Sequence, residues 1–326
     1  MSNNTHLDFV KFLIDNDNFL IVSHESPDGD NIGSSSGLYY VLKKLNKEVI
    51  HIIDDEIPQN LNFLIDYRIL KSKDVDLKKY NIISLDCGDI KRINCDFKLI
   101  ENKEMLLNID HHASNNHFGD LNIVHIEKSS TCEVVYDILK EYENYKDEKI
   151  IDKKIARSLY TGLLTDTGNF MYSNTKQESF YMAGDLLKTG VDTSIIINTV
   201  FLSNPLGRIT LIKDVIGTLD INKDFASILM TQNMLEKNNV DYKDTDGIVN
   251  YARDIENINV GVLFKEKEKN ITKISLRSKS DKYNLNEIAK LFSGGGHVRA
   301  AGCTINKNIN DAKKIFFDKL KENKII

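Results

Sequence analysis

Six side chains of types that bind divalent metals recur where apolar runs end. His24, Asp28 and Asp30 lie in "VSHESPDGDNIGSSSG" (22–37), Asp86 in "SLDCGD", His111 in "IDHHASN" and Asp166 in "TGLLTDTGNF". Four carboxylates gathered in one place repel one another unless a cation sits among them. With two imidazoles they make a set suited to two divalent ions about 3.5–4 Å apart, which clamp the attacking and leaving oxygens of a phosphoryl transfer. Oxygen-rich ligation with some imidazole and no thiolate favours manganese or magnesium over structural zinc. Each piece alone has a plainer reading: Pro27 to Asp30 as a turn, His24 as a surface residue, Asp86 as a strand terminator, Asp166 as a helix cap. The coincidence of ligand types with element ends favours metal.

Adjacent residues at a strand end point to opposite sides. His111 is therefore expected to bind metal while His112 faces substrate, donating to a phosphate oxygen or protonating a leaving group. Asp110 is placed to orient an imidazole. His6, His51, His117 and His125 lack such a setting and read as structural or surface residues. A second cluster, Gly294-Gly295-Gly296 before His297, has Arg277 and Arg299 near it in sequence. Glycine amides approach a phosphate closely and guanidinium grips it bidentately, so these residues suit an anion site; alone they would be a flexible loop.

The positioning elements alternate strand and helix over the first half, the pattern of a parallel sheet. Strands are expected at residues 19–23, 48–53, 81–85 and 105–109, with helices at 33–45 and 155–164. Capping boxes at Ser130/Glu133 and Thr175/Glu178 mark two more helices, and Gly190 closes this half. Ligands of open α/β sheets lie beyond the carboxyl ends of the strands, so the separated endings can meet there. A helical connector at 204–219 precedes β-rich segments at 225–231, 260–264 and 271–277, a charged turn at 265–270, and a helix at 286–292.

With 326 residues and a formal charge of −5, two domains are the natural expectation, and an anionic partner needs a local basic patch or bound metal. A nucleic-acid coat protein is disfavoured. The four cysteines form no CxxC pair, pointing to reduced structural thiols and a cytoplasmic location. Residues 1–8 lack a secretory pattern, and no apolar run approaches the ~20 residues of a membrane span.

In order, "SHESPDGDNIGS", "SLDCGD", "IDHHASN" and "TGLLTDTGNF" resemble the four motifs of the DHH phosphoesterases, and "ISLRSK" with "GGGHVRAAG" resembles the glycine-rich DHH-associated C-terminal domain. The resemblance implies an α/β chain with a parallel-sheet DHH catalytic domain (1–190), a helical linker (191–219) and a smaller α/β substrate-binding domain (220–326), its active site in the interdomain cleft. It implies one manganese on His24, Asp28 and Asp86 and another on Asp30, Asp86, His111 and Asp166, with Asp86 bridging. His112 is implied in phosphate binding, and Arg277 with Gly295, Gly296 and His297 in holding the far phosphate of the substrate. Asn31 stands where the family commonly has a smaller residue, which bears on fine geometry rather than on a ligand.

The length and two-domain plan are similar to the nanoRNase/pAp phosphatases, which hydrolyse short single-stranded RNA, linear dinucleotides or 3'-phosphoadenosine 5'-phosphate (pAp). A homodimer is compatible with this plan. The alternatives are a noncatalytic nucleotide sensor, which would be expected to have lost a ligand, and a family II pyrophosphatase, against which "GGGHVRAAG" argues.

Overall fold

Mostly apolar runs with little polar alternation belong to strands covered on both faces. The computed structural model, which describes residues 3–326, builds its first sheet from such runs. The chain divides into two compact units, one ending at Ser203 and the other spanning Asn204–Ile326. In the first, the order is α1 (His6–Asp15), β1 (Phe19–Ser23), α2 (Gly29–Lys44), β2 (Val49–His51), β3 (Asn81–Leu85), α3 (Phe97–Glu101), β4 (Met105–Asp110), β5 (Leu121–Val124), α4 (Thr131–Lys146), α5 (Lys153–Asp166), α6 (Gln177–Leu187) and α7 (Thr193–Ile197). The five strands are parallel in the order β2-β1-β3-β4-β5. Strand order reverses between β1 and β3, the switch point beside which open sheets bind ligands.

Period-2 alternation sends Phe19, Ile21, Ile83, Leu85, Leu107 and Ile109 to one face, against apolar residues of α1, α2, α4 and α5. Leu20, Val22, Ile82 and Leu106 meet Leu99 and Ile100 of α3 on the other. Helix α2 is buried over most of its length although it carries Ser34, Ser35 and Ser36. The serines are satisfied within the helix: Ser35 donates to the Asn31 carbonyl at 2.6 Å and Ser36 to that of Ile32 at 2.5 Å. Their small size lets α5 approach. A Cβ on Gly33 would lie 2.6 Å from the Ser158 carbonyl oxygen, and one on Gly162 would lie 2.2 Å from Cys132 Sγ and 2.9 Å from Asp30 Oδ1.

The second unit contains α8 (Leu206–Ile216), β6 (Asp220–Asn222), β7 (Phe225–Met230), α9 (Gln232–Asn238), α10 (Ile248–Arg253), β8 (Val260–Glu268), β9 (Ile271–Ser278), α11 (Leu285–Lys290), β10 (Gly295–His297), β11 (Ala300–Ile305) and α12 (Ile309–Glu322). Its sheet runs β10-β11-β9-β8-β7-β6, with β7 and β8 parallel and the other pairs antiparallel. Val260, Val262 and Phe264 pack with Ile288, Phe316 and Leu320 on one face; Leu263 and Ile228 pack with Val215 and Ile248 on the other.

Several boundaries differ from the sequence expectation. Helix α2 starts at Gly29 rather than residue 33, because Asp28 caps it, accepting from the amides of Asp30 and Asn31. The segment read as a charged turn at 265–270 is mostly strand: Lys265 is buried, its ammonium on Thr245 Oγ1 at 2.8 Å and over the Tyr242 ring. Helix α6 begins at Gln177 after Lys176, whose amide donates to Ser179 Oγ, so Thr175 is not its cap. The glycine run is an edge strand rather than a free loop. A Cβ on Gly294 would meet the Gly302 carbonyl at 2.3 Å, and one on Gly296 that of Ala300 at 2.5 Å. All four cysteines are unpaired, and among the described residues no single helix is long and apolar enough to cross a membrane.

Close α2–α5 contact makes a specific demand. Gly33→Ala forces its methyl against a helix backbone and is expected to destabilise the first unit by about 1–3 kcal/mol, read as a lowered denaturation midpoint. An unchanged midpoint would mean that the helices separate at little cost.

Candidate metal centre

His24 and Asp86 are the residues immediately after β1 and β3, and Asp110 ends β4 with His111 and His112 following. Asp86 has φ +57°, a left-handed conformation uncommon for a residue with a side chain. Its amide stays tied to the Ile109 carbonyl at 3.0 Å while the chain turns off the strand. Asp28 and Asp30 come from the start of α2, and Asp166 is the last residue of α5. Three groups of ligand atoms result, each within 4.8 Å of one another: His24 with Asp28 and Asp86, Asp30 with His111 and Asp166, and Asp86 with His111 and His112. Asp86 belongs to two of them.

The three histidines are held alike. His24 Nδ1 is 2.6 Å from the Glu25 carbonyl, His111 Nδ1 is 3.3 Å from that of Lys128, and His112 Nδ1 is 2.7 Å from Asp110 Oδ1. These partners only accept, so each Nδ1 donates; His112 Nδ1 also lies 3.7 Å from Asp86 Oδ1. His24 Nε2 lies 3.3 Å from Asp86 Oδ2, and His111 Nε2 lies 3.4 Å from Asp166, 3.7 Å from Asp86 and 3.9 Å from Asp30. An imidazole anchored through Nδ1 with Nε2 facing carboxylates is the donor arrangement that a divalent cation requires. The His111 and His112 rings do not diverge as expected: their centroids are 4.7 Å apart. Strand alternation no longer governs them, because β4 has ended at Asp110.

The carboxylates are carried by devices that the sequence reading missed. Asp30, fully buried, accepts from the amides of Thr131 at 2.6 Å and Cys132 at 2.9 Å, the free donors at the N-terminus of α4. Thr131 Oγ1 donates to Asp86 at 2.9 Å. Asn115 donates to Asp110 Oδ2 at 2.6 Å and to the Cys87 carbonyl, and Asn174 ties the Asp166 and Ser129 carbonyls. Ser130 caps α4 as its box predicts, but Glu133 reaches Ser129 instead of completing the box. The signal for the clamp was therefore present in "SSTCE", without the information that Asp30 would arrive there. Asn31 is buried, and its amide donates to the His24 carbonyl at 3.4 Å.

Charge crowding shows in the acidities. Burial, with the Asp86 charge, holds Asp30 well above the usual carboxylate range and pushes Asp166 up to about 8. Asp86 resists its own burial: the His24 bond and the fields of His111 and His112 keep it low. The Asp110 hydrogen bond raises His112 to about 9. Burial drives Cys132 well up as a thiol, so this neighbour of Asp30 is no ready ligand.

The proposed substrate residues of the second unit are arranged by its own sheet. Arg277 pairs with Ala300 in the sheet, and Ala300 with His297, so their side chains share a face with only a methyl between them, the outer strands roughly 10 Å apart. Arg277 Nη1 donates to the Leu276 carbonyl, and Gly296 N to Asn286 Oδ1. Arg299 makes a bidentate pair with Asp281, which competes with any anion for its guanidinium.

Comparison with known proteins agrees with this architecture. The model of the DHH family N-terminal domain matches residues 18–163, and that of the DHHA1 domain residues 225–322. The bifunctional oligoribonuclease and PAP phosphatase NrnA of Thermus thermophilus is 32% identical over 288 residues, 87% of this chain and 83% of that protein. The Bacillus subtilis protein of the same description is 27% identical over 293 residues, 89% and 90%. The crystal structure of an exopolyphosphatase-related protein from Bacteroides fragilis superposes with a TM-score of 0.86 at 31% identity, covering 97% and 96% of the two chains.

The acidities set the pH response of the metal-free protein. Asp166 keeps its proton to about pH 8 when folded but loses it near 3.9 when unfolded. The folded state therefore binds more protons across that window, and stability falls as pH rises through it. Asp30 acts in the same direction. His112, raised from about 6.5 to about 9, likewise stabilises below 6.5 and loses that contribution as pH passes 9. Thermal unfolding in chelator is expected at falling Tm from pH 5.5 to 8.5, and saturating Mn2+ should remove the part of the slope that Asp30 and Asp166 contribute. A chelated Tm that rises over this range would contradict the crowding.

Proposed function

We propose, for a chain that belongs to the DHH family and is a hydrolase of that family, that it is a manganese-dependent phosphoesterase cleaving nanoRNA, linear dinucleotides or pAp to mononucleotides. The observation that carries this reading is the gathering of histidines and carboxylates in which Asp86 lies with His24 and Asp28 and also with His111, in a chain whose relatives are named as oligoribonucleases and PAP phosphatases. DHH phosphoesterases are metal-dependent. The donor set fits two divalent ions: His24, Asp28 and Asp86 for one, and Asp30, Asp86, His111 and Asp166 for the other. Ions so held would supply Lewis acidity and a more acidic water.

The side chains of the chain itself do the rest. Asp110, fixed by Asn115, presents His112 in one orientation; a raised pKa keeps that ring cationic at neutral pH, suiting it to grip a phosphate oxygen or protonate a leaving oxygen. The α4 amides hold Asp30 in place without adding positive side chains that would compete with the ions. In the second unit Arg277, Gly294, Gly295, Gly296 and His297, with Arg299 beside them, are assigned to a substrate phosphate, since guanidinium and bare amides suit it.

The test is a panel of pAp, a 5'-phosphorylated dinucleotide, a short RNA, pyrophosphate and polyphosphate with purified protein and Mn2+. Turnover confined to the inorganic phosphates would overturn the reading. Asp86→Ala is expected to lose metal from both sites and essentially all turnover; near-normal metal content and rate would remove it as the shared ligand. Arg277→Ala should weaken pAp binding about ten- to a hundredfold with metal content unchanged, and no change in KM would leave the glycine hairpin purely structural.

A further inference from the structure

Beyond Asp166, the chain leaves α5 through three successive left-handed residues, Gly168, Asn169 and Phe170, at φ +56°, +56° and +65°. That region is costly for a bulky residue, and such strain persists only where surrounding structure imposes it. Here it is imposed by hydrogen bonds. The Asn169 amide donates to the Leu164 carbonyl at 2.7 Å, Tyr172 to that of Thr167 at 3.0 Å, and Phe170 to Thr167 Oγ1 at 3.2 Å. Asn174 then fastens the far end of the segment back to the Asp166 and Ser129 carbonyls.

The result is an aromatic surface beside a proposed metal ligand. Tyr172 is 46% exposed and Phe180, stacked on Phe170 with centroids 4.9 Å apart, is 57% exposed. The Tyr172 ring covers Gly168 face-on: a Cβ there would lie 2.3–2.5 Å from three of its carbons. One face of the ring is thus backed by main chain, where only glycine fits. Exposed apolar clusters of this kind mark binding surfaces. Two flat-sided occupants compete for it, a nucleobase and a second copy of this chain. The rigid ring over glycine, in a segment tied at one end to Thr167 and at the other through Asn174 to the Asp166 carbonyl, favours the base, since every nucleobase has a π-face to stack.

We infer that Tyr172, seated on Gly168, is a stacking platform for a nucleobase of the substrate, and selects nucleotides over inorganic phosphate chains at the same cluster. This rests on the nucleotide reading above. The experiment compares kcat/KM for pAp and for its base-free counterpart, an abasic sugar 3',5'-bisphosphate, in wild type, Tyr172→Ala, Tyr172→Leu and Tyr172→Trp. The preference for pAp should fall about ten- to a hundredfold in the first two variants, through KM, and return in the tryptophan variant. The chain has no tryptophan, so Tyr172→Trp also carries a unique fluorophore, whose emission AMP should quench and ribose 5-phosphate should not. Equal losses on both substrates, no loss on either, or a change of oligomeric state without a change of preference would overturn the platform. If wild type cleaves no nucleotide yet AMP still quenches Tyr172→Trp, the platform stands and the proposed reaction falls. Nucleotide cleavage with no quenching and no change in preference has the opposite meaning.

Discussion

Mutual repulsion among buried carboxylates is the constraint around which the first unit is organised. Asp30 and Asp86 are almost wholly enclosed, with Asp28 and Asp166 close by, and a folded chain tolerates such a set only where donors or cations oppose it. The protein supplies part of that opposition from its own main chain and side chains. The N-terminus of α4 takes Asp30, Thr131 takes one oxygen of Asp86, and His24 and His111, fixed through Nδ1, turn Nε2 toward the carboxylates. What remains is an unbalanced negative field at the switch point of a parallel sheet, which is a place prepared for divalent charge.

The helices bear the cost of that preparation. Glycine inside a helix sacrifices about 1 kcal/mol against alanine, yet Gly33 and Gly162 stand where α2, α4 and α5 converge. Their absent side chains let Asp30 of α2 sit against α5 and under the first amides of α4. The three serines of α2 perform a related service, being small enough to bury and able to satisfy themselves on their own helix. Core packing and ligand placement thus depend on the same few atoms.

Much of this was legible in the sequence, and the reason is local. The strand-end positions of His24, Asp86 and His111 follow from apolar runs that stop at polar residues, and the ligand types announce themselves. Elements read by periodicity were placed within a few residues. The errors arose where one residue type serves two ends. "SPDGD" is turn chemistry and equally a helix cap, and only the fold decides that Asp28 caps α2 at Gly29. Glycines that suggest a bare loop instead permit β10 to lie against β11. The divergence expected of His111 and His112 assumed that β4 continued past Asp110. Contacts such as Thr131 to Asp86 or Cys132 to Asp30 join residues 45 and 102 positions apart, and no periodicity reports them.

The proposed ligands from His24 to Asp166, and Asn174 that braces them, lie in the first unit. Domains fold in turn as they leave the ribosome, so the cluster can close before Arg277 and the glycine hairpin are joined. Metal would then be loaded onto a nascent chain ahead of the residues proposed to hold the substrate.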